Sequence, residues 1–157
     1  MNDTVKSWLL VGLQALLLVL IIFLPSSVPQ PGRILKSIGG ALELIGLAIL
    51  AVSIYDLRKS LTVLPLPVRS GELQVRGMYK SMRHPMYTAV LILSLGIAIG
   101  SNRVIKYVLL AGLIVLFNFK ARYEEQLLLK KYSGYKGYML KTPRFLPLIF
   151  NKNRKVQ

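Results

Sequence analysis

The chain has 157 residues, of which 54% are hydrophobic, and it carries a formal net charge of +15. Its mean hydropathy of +0.52 argues against a soluble globule and favours a small membrane protein whose apolar spans are separated by basic loops. The absence of cysteine and the single histidine exclude disulfides, a cysteine nucleophile, thiolate metal sites and multi-histidine metal sites, so no metal is predicted.

Four apolar runs follow one another along the chain, at residues 8–24, 34–55, 86–100 and 104–119. The first lacks a basic leader and a small-residue cleavage site, so we interpret it as an anchor rather than a signal peptide. A loop rich in proline, residues 25–32, follows it. After residue 119 the pattern predicts a helix that leaves the membrane and ends at Ser133-Gly134.

Four spans place both termini on the same side of the membrane. That side then carries 17 of the 21 lysines and arginines, which makes it cytoplasmic by the positive-inside rule. The charges flank apolar runs and form no nucleic-acid-reading motif, so the predicted partners are anionic membrane lipids and not nucleic acid.

The third run follows directly after the only histidine of the chain and a proline, in "KSMRHPMY". Pro85 suits the first turn of a helix, whose free N–H groups and partial positive charge attract a carboxylate or phosphate. Arg83 adds a cation and His84 a donor, so this stretch predicts a site for an anionic group. The alternative is a basic cluster at the interface that contacts lipid phosphates.

Two adjacent carboxylates, Glu124 and Glu125, lie just beyond the fourth run. One of them is placed to pair with Lys120 or Lys130 on its own helix. The other is free to receive an ammonium or sugar hydroxyls. Together with an anion site at a nearby helix start, this arrangement suits a zwitterionic, amino-acid-like cofactor.

Two further features lie inside the spans. Glu43 interrupts the second run, and an intramembrane carboxylate is a functional candidate, with Gln14 and Asn118 as its expected hydrogen-bonding partners. Packing and substrate roles for Glu43 stay equally open. Gly96 and Gly100 form a G-x-x-x-G pattern, which is typical of a helix-packing face.

The stretch "GMYKSMRHPMY", a two-span hairpin and "EEQLLLKKYSGYKGYMLKTPRFLP" resemble the isoprenylcysteine carboxyl methyltransferase family, which is related to the membrane phospholipid methyltransferases. The resemblance covers about residues 70–148. It divides the single membrane domain, 1–157, into an N-terminal helical hairpin with linker (1–69), a methyltransferase-like core (70–148) and a basic tail (149–157).

The resemblance implies S-adenosylmethionine as the methyl donor, bound in a cytosolic pocket over the last two spans. The implied cofactor-binding residues are Leu73, Gln74, Val75, Tyr79, His84, Pro85, Met86, Tyr87 and Glu124. The family has an arginine one helical turn before the glutamate, where it meets the acceptor. This chain has Lys120 there and Arg122 two residues before Glu124, so both are candidates for positioning the acceptor.

The expected protein is thus an all-α integral membrane methyltransferase of about four transmembrane helices. Its pocket is formed by the 56–83 loop, the last helical hairpin and the C-terminal segment. The favoured acceptor is the carboxylate of a hydrophobic or lipidated, isoprenylcysteine-like molecule.

The alternatives are a phospholipid amine or small thiol methyltransferase, a nicotinamide-dependent reductase, and a non-catalytic lipid-binding membrane protein. We expect a multi-pass protein with cytoplasmic termini in a prokaryotic plasma membrane, or in the endoplasmic reticulum if the source is eukaryotic.

Overall fold

A computed structural model describes residues 2–26, 30–58 and 73–145. Regular structure in these ranges is entirely helical: α1 (Asp3–Phe23), α2 (Arg33–Leu57), α3 (Met78–Ser81), α4 (Pro85–Ser101), α5 (Val104–Lys131) and α6 (Tyr135–Lys141). Three parts of the prediction lie outside the described residues: half of the predicted 56–83 loop (residues 59–72), the end of the "PRFLP" motif (Leu146-Pro147) and the predicted basic tail.

The all-helical prediction is confirmed, and each apolar run forms one helix. Helices α1, α2 and α5 are long and apolar enough to cross a membrane, while α4 is a shorter apolar helix of 17 residues. At a rise of about 1.5 Å per residue, α4 is roughly 25 Å long, close to the thickness of a hydrocarbon core. About four membrane helices are therefore present.

Glycines bring α2 and α4 into close contact. A Cβ atom added to Gly39 would lie 2.7 Å from the carbonyl oxygen of Gly96 and 2.8 Å from the Cα atom of Gly100. A Cβ atom on Gly46 would lie 2.6 Å from Leu93 Cγ. The predicted packing role of Gly96 and Gly100 is thus confirmed, and their partner is α2.

Helix α1 packs on α5 and α4, whereas α2 packs on α4, so the two N-terminal helices are consecutive in the chain but have different main partners. The buried cluster between α1, α4 and α5 is centred on Ile21, Leu113 and Phe117. Many large apolar side chains elsewhere on α1 and α2 are exposed, as expected for helices surrounded by lipid.

The partners expected for Glu43 are wrong. The Gln14 side chain accepts a hydrogen bond from Lys120, and the Asn118 amide donates to the carbonyl oxygen of Ile114 on its own helix. Glu43 is half-buried and packs over Gly96.

Helix α5 continues beyond the apolar run as one rod of 28 residues. It stops at Tyr132, and Ser133-Gly134 turns the chain into α6, as the sequence predicts. The extension carries Glu124 and Glu125 past the start of α4, which positions them for the site described next.

Candidate functional site

The start of α4 is held by the C-terminal segment. Pro85 occupies the first turn of the helix, so no N–H group is lost there. The backbone N–H groups of Arg83 and His84 donate to the carbonyl oxygens of Pro143 and Arg144, at 2.9 and 3.0 Å. One turn later, the Thr88 hydroxyl donates to the carbonyl oxygen of Phe145 at 2.7 Å. The chain on either side of His84 is therefore fixed.

Glu125 is the most heavily bonded carboxylate of the site. Arg144 binds it through two hydrogen bonds, Nε to Oε1 at 3.0 Å and Nη2 to Oε2 at 2.6 Å. Arg83 Nη2 lies 3.3 Å from Oε1, and His84 Nε2 lies 3.1 Å from the same oxygen. The Glu125 carboxylate joins α4, α5 and the C-terminal segment, and it raises the pKa of Arg144 by hydrogen bonding.

Sequence reasoning missed this role of Glu125. The spacing in the sequence predicted that one of the two carboxylates pairs with Lys120 or Lys130 on the same helix. The actual partners, Arg83 and Arg144, lie 42 and 19 residues away in the chain. Their basic charge and the "PRFLP" motif were visible in the sequence, but nothing in it indicated that they would converge on one carboxylate.

Glu124 has different surroundings, although it is the next residue. The Tyr87 hydroxyl donates to its Oε2 atom at 2.9 Å, and His84 Nδ1 lies 3.7 Å from the same atom. The Glu124 side chain keeps 28% of its surface exposed, whereas that of Glu125 keeps 4%. Glu124 therefore retains the capacity to accept further hydrogen bonds.

The rings beside these carboxylates form a continuous stack. His84 and Tyr87 are parallel, with ring centroids 5.2 Å apart, and Tyr87 stacks on Phe117 at 4.7 Å. The Phe145 ring is tilted by 48° to the His84 ring, with the two centroids 6.0 Å apart. The stack connects the polar site to Phe117 in the apolar core.

A tight turn positions Tyr79 next to the site. Gly77 has a positive φ of 60°, a conformation that favours glycine, and the space of a Cβ atom there is filled by the Asp56 carboxylate. That carboxylate accepts from the N–H group of Met78 at 2.8 Å and so holds the start of α3 against the end of α2.

The Tyr79 side chain is buried, and its backbone carbonyl accepts from the Tyr138 hydroxyl of α6. Burial, with Glu124 nearby, raises the pKa of Tyr79. Burial likewise raises the pKa of Tyr138 to about 12. Both phenols are therefore neutral at physiological pH.

The sequence-predicted cofactor residues divide into two groups. His84, Pro85, Tyr87 and Glu124 meet at the start of α4, with Met86 in its first turn. The segment 73–75 lies at the end of α2 instead, where the Gln74 amide donates to the carbonyl oxygen of Asp56 at 2.7 Å. Leu73 is half-buried and Val75 is exposed. Tyr79 lies between the two groups.

The two candidate acceptor residues lie on different faces of α5. Lys120 is 4% exposed; its ammonium donates to Gln14 Oε1 at 2.6 Å and lies 5.3 Å from the centre of the Tyr87 ring. Arg122 is exposed, because two residues correspond to about 200° of rotation around a helix. Lys120 is thus the basic residue that the fold turns towards Tyr87.

Comparison with known protein families gives a match to the phospholipid methyltransferase family over residues 35–134. The match covers well over half of the chain. The chain belongs to the phospholipid methyltransferase family. The matched part includes most of α2, all of α3, α4 and α5, and both glutamates. This protein is therefore a membrane methyltransferase, and its membership confirms the relationship indicated by the "RHPMY" and "EEQLL" motifs. No curated protein matches the chain.

The family match leaves out two parts of the site. Helix α1 with Gln14 precedes it, and the segment 143–145, which binds the start of α4, follows it. The structure therefore shows contacts to the methyltransferase region that membership of the family does not describe.

Proposed function

We propose that this methyltransferase transfers the methyl group of S-adenosylmethionine to the carboxylate of a hydrophobic or lipidated acceptor, such as an isoprenylcysteine-like molecule. The observation that carries the proposal is the contrast between the two glutamates. Glu125 is fully engaged by Arg83, Arg144 and His84, whereas Glu124 is half-buried and has bonding capacity left.

The residues of the site are complementary to both charged groups of the donor, its ammonium and its carboxylate. The Glu124 carboxylate suits an ammonium or ribose hydroxyls. Arg83 Nε is buried and has no hydrogen-bonding partner among the described residues, which suits the carboxylate of a zwitterion. The first turn of α4 adds the free N–H groups of a helix start, which favour a negative group. An amino-acid-like donor therefore finds complementary charges within one small region.

When bound, S-adenosylmethionine supplies an electrophilic methyl group on a sulfonium, and a carboxylate acceptor needs no base to attack it. The chain's part is therefore to align the two reactants and exclude water. Tyr87 and Phe145 shield the site from solvent, and the Lys120 ammonium attracts the acceptor carboxylate. A carboxylate acceptor carries no proton, so no residue of the site would have to move one. The electron pair of the cleaved S–CH3 bond would remain on sulfur.

The basic residues orient this arrangement in the membrane. The end of the bundle with His84 faces the cytoplasm in our proposal, because most lysines and arginines flank that end. The donor then reaches the site from the cytosol, and the acceptor enters sideways from the bilayer. Leu73, Gln74 and Val75 remain candidates for the donor's nucleoside end.

Binding of the donor tests the proposal directly. Purified protein in lipid nanodiscs should bind S-adenosylmethionine in calorimetry. Glu124→Gln and His84→Ala should each weaken this binding about tenfold or more, as expected for a lost bond to a charged group. Gln126→Ala, an exposed position on the same helix, is the control. Absence of binding at millimolar donor would overturn the proposal.

A phospholipid amine is the second candidate acceptor, because the family that matches is the phospholipid methyltransferases. Membranes containing the protein should be incubated with donor that carries a labelled methyl group. A methyl ester releases labelled methanol in base, whereas an N-methyl amine or a thioether retains its label. A labelled amine lipid or thioether would reassign the acceptor. Donor binding without any labelled product would favour a non-catalytic lipid-binding protein.

A further inference from the structure

The Lys120 side chain points away from the end of the bundle that carries His84. Near that end, the Tyr123 hydroxyl contacts the carbonyl oxygen of Asp3, the first residue of α1, at 3.4 Å. Lys120 precedes Tyr123 by three residues, about 4.5 Å along the helix. Its ammonium nevertheless reaches Gln14, eleven residues and about 16 Å further along α1. The Lys120 side chain therefore extends towards the middle of the membrane.

This orientation leaves the ammonium without an adjacent counter-charge. Within the part of the chain that the structure describes, no carboxylate lies within 4.0 Å of Lys120 Nζ. Its contacts are the amide oxygen of Gln14 and the face of the Tyr87 ring. A buried ammonium is costly unless a negative group compensates it, which makes this position suitable for an anionic ligand.

The nearest available carboxylate is one helical turn away. Lys120 and Glu124 have the i, i+4 spacing at which oppositely charged residues on a helix pair. They do not pair here, because Gln14 binds the ammonium and Tyr87 binds the carboxylate. Each of the two charges is held by a neutral side chain from a different helix.

We propose that Gln14 is a positioning residue that keeps Lys120 and Glu124 apart. It holds the ammonium inside the bilayer, where it receives the anionic group of the acceptor, and so leaves Glu124 free for the donor. The inference rests on the proposed function and deepens it. An anionic group that reaches Lys120 must be joined closely to the apolar body of the acceptor, because the ammonium lies below the membrane surface.

The test uses donor binding, which requires no knowledge of the acceptor. In Gln14→Leu the Lys120 ammonium loses its hydrogen-bonding partner and pairs with the Glu124 carboxylate one helical turn away. The low dielectric of the membrane strengthens this ion pair. Binding of S-adenosylmethionine in nanodiscs should therefore weaken about three- to tenfold. Removing the ammonium as well, in Gln14→Leu/Lys120→Leu, should restore binding to the wild-type level. Gln14→Glu retains an oxygen acceptor and should bind like wild type.

The control is Leu13→Ala, at the exposed neighbouring position of α1, and thermal unfolding of every variant accompanies the binding data. Unchanged donor binding in Gln14→Leu would overturn the inference. Weakened binding that the double variant does not restore would also overturn it, because it indicates a structural role for Gln14. If the wild-type protein binds no donor, the proposed function itself fails, and the inference fails with it.

Discussion

Glu124 and Glu125 are neighbours in the chain, yet the fold turns them towards different partners. Successive residues of a helix are about 100° apart, so Glu125 faces the guanidinium groups of Arg83 and Arg144 while Glu124 faces Tyr87. The two residues are chemically identical, and any difference between their variants therefore reports on position alone. They form a matched pair for separating stability from binding.

Glu125→Gln should lower the free energy of unfolding by about 3 kcal/mol, since removing one partner leaves buried cations uncompensated. Glu124→Gln should leave it nearly unchanged but weaken donor binding. Thermal unfolding in detergent and calorimetry with S-adenosylmethionine measure the two effects. Equal destabilisation by both variants would contradict the division of roles.

Tyr138 allows a test against pH. Its pKa is raised to about 12 by burial, whereas that of an unfolded tyrosine is about 10. Between these values the folded state holds the proton and the unfolded state loses it, so stability is complete below pH 10 and declines as the pH rises towards 12. The free energy of unfolding, measured between pH 10 and 12, should decline less steeply with pH in Tyr138→Phe than in the wild type. Parallel profiles would refute this contribution.

At the scale of elements, the contact between α2 and α4 depends on backbone proximity. Gly39 and Gly40 are adjacent, but only Gly39 faces Gly96 and Gly100; a Cβ atom on Gly40 would meet nothing within 4 Å. The hydropathy pattern predicted these helices, and the G-x-x-x-G spacing predicted a packing face. The sequence did not identify α2 as the partner, because exposed apolar residues cover α2 on many sides.

We expect Gly39→Ala to destabilise the protein by about 1–3 kcal/mol, the usual cost of overpacking, because all three obstructing atoms belong to the backbone of α4. Gly40→Ala should be neutral or stabilising by up to about 1 kcal/mol through helix propensity. Thermal unfolding of the two variants in the same detergent compares them. The reverse order would show that Gly39 does not lie at the α2–α4 contact.

The candidate site was predictable to the extent that it lies within one motif. The proximity of His84 and Glu124 follows from the family-like order of "RHPMY" and "EE", and the structure places their side chains 3.7 Å apart. The Gln14–Lys120 contact was not predictable, because the direction of a long side chain along the membrane normal depends on packing between distant helices. For the same reason Arg122, though nearer to Glu124 in sequence, lies on the exposed face.

At the scale of the whole molecule, the absence of cysteine makes the membrane orientation measurable without background. Gln30→Cys lies in the loop between α1 and α2, and Ser133→Cys lies beyond α5 at the other end; both positions are exposed. An impermeant maleimide applied to intact cells should label Gln30→Cys and not Ser133→Cys until the cells are lysed. The opposite pattern would place His84 outside the cytoplasm.

The hydrogen bonds from Arg83 and His84 to the carbonyl oxygens of Pro143 and Arg144 have a consequence for biosynthesis. Chains are made from the N-terminus at about 5–20 residues per second, so Pro143 and Arg144 are added about 60 residues, and several seconds, after Arg83 and His84. The backbone N–H groups of Arg83 and His84 therefore exist for several seconds before their carbonyl acceptors are synthesised. Until then the start of α4 lacks the contacts that fix it, so the last residues of the structured chain complete the assembly of the site.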